Sequence, residues 1–144
     1  MRGTNFFIFT FFIFILFLLT KIIDNIPPHK ITINTINSLK ERIEIYIDKN
    51  NYLPNSLNDL PRLKSGNNAT NDGWGNPIIF EKVDVNYEIV LSSLGKDLKE
   101  GGVGFNTDIV GRFHPIDDLG QFKKGKIQWA QDPVDFSPQF NTYR

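Results

Sequence analysis

Four glycines fall between Ser92 and Ile109, at 95, 101, 102 and 104, and that density breaks any helix or strand. The chain must turn there, and glycine lets the backbone turn tightly and take positive φ, so that carbonyl oxygens can point inward. Asp97 and Asp108 stand towards the two ends of the stretch, with Asn106 between them. Two carboxylates, an amide oxygen and inward carbonyls are a hard-oxygen donor set, the kind that suits calcium. The stretch lacks the EF-hand pattern, so a plain surface turn with solvated carboxylates stands as the other reading. An apolar, strand-like run precedes it, and it closes on the apolar pair Ile109-Val110.

Lys plus Arg and Asp plus Glu number 16 each, so no bulk charge draws the chain to nucleic acid or to an anionic membrane surface. There is no cysteine, which excludes disulfides, thiolate metal sites and lipid attachment through cysteine. A length of 144 residues allows one modest domain with additions. A small domain without disulfides needs another staple outside the cytoplasm, and a bound metal is one.

Residues 5–23 are almost entirely Phe, Ile, Leu and Thr until Lys21. A run of about 20 apolar residues can cross the hydrocarbon core as a helix. No small-residue cleavage motif follows it, so residues 1–26 are expected to be an uncleaved transmembrane anchor rather than a signal peptide. Arg2 and the amino terminus place the short side in the cytoplasm by the positive-inside rule. The rest of the chain is then extracytoplasmic.

Pro27-Pro28 is expected to end or kink the apolar helix. A second helix is expected over 30–49, where Ile36, Leu39, Ile43 and Ile47 form one apolar stripe at 3-4-4 spacing. Such a stripe packs a helix on a sheet. Asn50-Asn51 is a suitable helix end, and Asn55 or Ser56 can cap a short helix at 56–60. Residues 64–75 read as an exposed loop. Two strands are expected at 78–83 and 86–92, joined at Asp84-Val85 as an antiparallel hairpin, with Tyr87, Ile89 and Leu91 on one apolar face. From Gly111 onward Pro115, Pro133 and Pro138 interrupt an aromatic tail carrying Phe113, Phe122, Trp129, Phe136, Phe140 and Tyr143. That tail is expected to lie along the domain or on a neighbour, with Ile127-Gln128-Trp129 as a brief strand.

Between Leu39 and Ile109 the chain carries, in order, Tyr46, Asn51-Tyr52-Leu53-Pro54, Asp72 with Trp74-Gly75-Asn76-Pro77, and Tyr87. Ser93-Leu94-Gly95, Asp97, Gly101-Gly102-Val103-Gly104 and Asn106-Thr107-Asp108-Ile109 follow. This combination resembles the major pseudopilin of type II secretion systems, the G-type pseudopilin family. The resemblance implies an α+β, pilin-like fold: an N-terminal membrane helix, then an amphipathic helix packed on a small antiparallel sheet with a calcium loop. It implies a globular domain over 27–111, with 112–144 as a C-terminal extension. It also implies that calcium is held by Asp97 and Asp108 through side-chain oxygens, by the carbonyls of Leu94 and Val103, and by Asn106 as a further candidate. In that family calcium steadies a subunit that polymerises into a short periplasmic fibre.

The chain departs from the family pattern in four places. Thr4 follows Gly3 where a Phe is usual, no acidic residue occurs before Asp24, the tail is longer, and Gly73 replaces a proline after Asp72. Two functions from the resemblance therefore compete. One is an inner-membrane, single-pass structural subunit whose partners are the membrane and other pseudopilin-like or secretion-system proteins. The other is a non-polymerising, membrane-tethered binding module of the same fold. Enzymatic function is not expected: His29 and His114 are the only histidines, neither has a visible catalytic partner, and Ser92-Ser93 has no nucleophile-elbow context. Neither nucleic acid nor a small-molecule substrate is expected as a partner. Lys96, Lys99 and Glu100 read as a solvated rim, and Trp74 as a packing residue at the loop base.

Overall fold

The computed structural model describes residues 26–83, 87–117 and 119–130, together with 11 and 13–15. The transmembrane expectation for 1–26 lies almost wholly outside the described residues, as do the turn at 84–86 and the aromatics Phe136, Phe140 and Tyr143. Phe11, Ile13, Phe14 and Ile15 are helical and exposed. Among the described residues no helix is long and apolar enough to cross a membrane.

Helix α1 spans Pro28–Asn50. Pro28 occupies its first turn, where the missing N–H has no partner to lose and the fixed φ suits the helix. At the far end Asn51 takes φ 61° and its N–H donates to Ile47 O at 2.7 Å, closing the last turn. Ile36, Leu39 and Ile43 are 0% exposed and Ile47 is 2%, so the 3-4-4 stripe is the buried face. Each of these side chains contributes about 1.5–3 kcal/mol by leaving water.

That stripe meets an antiparallel sheet of order β1-β2-β3-β4, made of Ile79–Val83, Glu88–Ser93, Ile109–Phe113 and Gln128–Trp129. Ile89, Leu91, Ile109 and Phe113 supply the sheet side of the core. The expected hairpin is present, with Ile79 opposite Ser92 and Val83 opposite Glu88. One detail differs: Tyr87 precedes β2, has φ 52° and is half exposed, so it is a turn residue and not part of the apolar face. Nor is β2 apolar on one face only. Val90 is buried as well, in a central strand with Glu81 and Arg112 directly opposite it on either side. The brief strand expected at 127–129 is β4, which pairs antiparallel with β3.

A short 3-10 helix, Leu57–Asp59, carries a full capping box: Asn58 N donates to Ser56 Oγ, and Ser56 N donates to Asp59 Oδ2. Arg42 is buried in α1 and, among the described residues, has no carboxylate partner. Its guanidinium donates to the carbonyls of Pro61 (2.8 Å), Asn68 (3.2 Å) and Leu60 (3.5 Å), which pins the 60–68 loop to the helix. Burial, with Arg62 nearby, lowers its pKa from the usual value.

Candidate metal centre

The site begins with Asp72, which is 5% exposed. Its Oδ1 accepts the N–H groups of Trp74 (2.9 Å) and Asn76 (2.8 Å), so the Asp-Gly-Trp-Gly-Asn turn is wound around one carboxylate. Its Oδ2 accepts from Ser93 Oγ at 2.6 Å, at the end of β2. Ser93 Oγ in turn accepts Gly95 N at 3.2 Å, and Asn76 Nδ2 donates to Gly95 O at 3.4 Å. The Trp turn and the glycine loop are therefore joined through Asp72 and Ser93. Trp74 reinforces the joint, packing on the core and lying edge-on to Phe105 with ring centroids 6.5 Å apart.

The Trp turn is also tied to the start of α1. Gly73 N donates to Thr32 Oγ at 2.9 Å, and Thr32 Oγ donates to Pro28 O at 3.0 Å. A side chain at 73 would place its Cβ 2.0 Å from Pro28 O, so only glycine fits this approach.

Within the loop, Gly95 and Gly102 close on the backbone of Asn106 from two sides. A Cβ at 95 would lie 2.8 Å from Asn106 C, and one at 102 would lie 2.5 Å from Asn106 O. Lys96 N donates to Phe105 O at 2.9 Å, which fixes that approach. A single 3-10 turn, Gly104–Asn106, follows Val103, whose carbonyl accepts Asn106 N at 3.2 Å. Asp108 then turns back, and its Oδ2 accepts Gly101 N at 2.9 Å.

Of the five expected ligand residues, Leu94 precedes Gly95, which closes on Asn106; Val103 and Asn106 bound the 3-10 turn; and Asp108 is tied to Gly101 N. Asp97 is exposed on the rim, and its Oδ1 accepts Lys99 N at 3.3 Å. Among the described residues no three His, Cys, Asp or Glu side chains converge, so an ion held here would depend on carbonyl and amide oxygens as well as carboxylates. The donor set meets that need in one telling respect. Asp108 Oδ1 is shielded from solvent and, among the described residues, accepts no hydrogen bond. A shielded carboxylate oxygen without a donor costs about 1–3 kcal/mol or more, and a hard cation removes that cost.

Among the described residues, His29 is the other side chain with a buried, unpartnered atom, Nδ1. Burial, then the charge of Lys30, lowers its pKa below the ordinary 6.5. The Asp72–Ser93 bond and the carbonyl-capped Arg42 escape a reading of residue spacing, since each spans about 20 residues or more of chain. Only the local half of the Asp72 cluster, a carboxylate ahead of Gly-Trp-Gly-Asn, carries a sequence signal.

The chain has no match among protein-family models, curated proteins or solved structures.

Proposed function

We propose that this chain is a membrane-anchored, pseudopilin-like structural subunit whose extracytoplasmic α+β domain is stapled by calcium in the 94–108 loop. The observation that carries the reading is the shielded, donorless Asp108 Oδ1 inside a loop that glycine folds onto itself. The helix laid on a small antiparallel sheet and the exposed apolar side chains at 11 and 13–15 are consistent with the same reading.

Asp108, Asp97, Asn106 and the carbonyls of Leu94 and Val103 would hold the ion. Bound calcium supplies two positive charges to a cluster of oxygens that otherwise repel one another. Gly95 and Gly102 bring the strands of the loop close enough to share it. Asp72 and Ser93 hold the loop's first turn against the domain, so ion binding stiffens the joint between sheet and helix. A stiffened subunit presents a constant surface to its neighbours, which a fibre requires.

The test is thermal melting of the full chain in non-ionic micelles, with calcium and with chelator, for the parent and for Asp108→Asn. Calcium at about 100 times its dissociation constant stabilises the parent by about 2.7 kcal/mol. The variant loses that gain. Identical melting with calcium and with chelator in the parent would sink the metal reading. Crosslinking in membranes addresses assembly separately: ladders support a fibre subunit, whereas monomers alone favour a tethered binding module.

A further inference from the structure

Three large apolar side chains stand in solvent on the 94–108 loop: Leu98 is 57% exposed, Val103 85% and Phe105 42%. Leu98 is held at φ 59°, a left-handed conformation that costs a leucine energy, so the fold spends stability to keep this side chain at the rim. Lys96 and Lys99 flank it and are also exposed. Apolar groups bracketed by lysines on a loop form a surface that can enter the headgroup layer of a bilayer.

The placement of the loop points the same way. Gly95 is bonded to Asn76 and Ser93, Ser93 to Asp72, and Gly73 to Thr32 in the first turns of α1. The loop therefore lies at the amino-terminal pole of a helix about 34 Å long. The apolar run 5–23 joins that same pole only a few residues before Pro28. A bilayer that held this run would be tied to the chain by the few residues before Pro28, at the end of the helix opposite Asn50.

Charge supplies a switch. Between Leu94 and Asp108 the loop holds Lys96 and Lys99 against Asp97, Glu100 and Asp108, a net charge of −1. A bound divalent cation turns this to +1, changing repulsion by an anionic surface into attraction.

We propose that the loop tip, Leu98, Val103 and Phe105 with Lys96 and Lys99, docks on the anionic bilayer that anchors the chain, and that calcium switches this docking on. The inference rests on the calcium and anchor readings above. It adds a binding surface, a ligand class and a control, and it orients the domain with its candidate metal centre against the membrane.

The chain has no cysteine, so Phe105→Cys, outside the five proposed ligand residues, accepts a single apolar fluorophore on the exposed loop. The labelled full chain is reconstituted in vesicles containing brominated lipid, either phosphatidylglycerol-rich or phosphatidylcholine alone, with calcium and with chelator. Bromine quenching is expected only in the phosphatidylglycerol-rich vesicles with calcium. Adding Leu98→Asn, which tolerates the left-handed backbone, lowers the docked-to-free ratio about tenfold. Melting of the same labelled chain reports calcium binding independently. A calcium-dependent melt without quenching overturns the docking and leaves the metal reading intact. Calcium-independent melting overturns both. Fluorophore self-quenching between copies without bromine quenching overturns the bilayer in favour of a second copy of the chain.

Discussion

Gly73→Ala probes the joint on which the placement of the candidate site depends. The added Cβ would lie 2.0 Å from Pro28 O, 2.5 Å from Pro28 C and 2.6 Å from Pro28 Cα. All three are backbone atoms of the first turn of α1, so no side chain can swing aside. The Trp turn must retreat. Retreat stretches the Gly73 N to Thr32 Oγ bond of 2.9 Å and drags the Asp72 carboxylate from Ser93. Overpacking of this kind costs about 1–3 kcal/mol, and a lost neutral hydrogen bond about 0.5–1.5 kcal/mol. The expected loss is about 2–4 kcal/mol, or about 10–25 °C in Tm for a domain of about 100 residues. Denaturant unfolding of the full chain in non-ionic micelles, followed by tryptophan emission, measures it, and the adjacent Trp74 reports the retreat in the folded state. Thr32→Val is the companion variant. It is isosteric, removes only the hydroxyl, and costs about 1 kcal/mol. A Gly73→Ala chain within about 0.5 kcal/mol of the parent, with unchanged emission, would refute the close approach of turn to helix.

Ser93→Ala removes a donor from a buried carboxylate and an acceptor from Gly95 N; a loss of about 2–4 kcal/mol is expected by denaturant titration, with weaker calcium stabilisation. Arg42→Met keeps the stem but leaves the carbonyls of Pro61, Asn68 and Leu60 without donors; melting should fall by an amount equivalent to about 2–3 kcal/mol, and proteolysis should begin in the 60–68 loop. His29 has a folded pKa below the ordinary 6.5, so the unfolded chain binds its proton more readily. Its contribution to stability is full above about pH 6.5 and is lost as pH falls towards the folded pKa. Melting from pH 7.5 down to about 5 should show that decline in the parent and a flatter profile in His29→Gln, and parallel profiles would refute the assignment.

The helix and the hairpin were legible in residue order because each follows from short-range periodicity. Ile36, Leu39, Ile43 and Ile47 mark one face at the helical period, and Asn51 supplies the left-handed cap. β4 was legible as Ile127-Gln128-Trp129, but its partner β3 was not, since pairing depends on which edge remains open. Val90 and Tyr87 show where alternation misleads. Burial of a central strand is set by its neighbours in the sheet, and a strand's start is set by where its turn ends.

Local chemistry alone determined that the 92–109 stretch must curl and that it offers hard oxygens. Glycine's freedom and the donor types of Asp97, Asn106 and Asp108 are properties of the residues themselves. Tertiary structure decided the rest. It shields one oxygen of Asp108 while leaving Asp97 on the rim, it joins Asp72 to Ser93, and it seats the Trp turn, to which the loop is bonded, at the start of α1. Such choices depend on which distant segments pack together, and the reason for that packing is the shared burial of the α1 stripe and the sheet, to which no single segment holds the key.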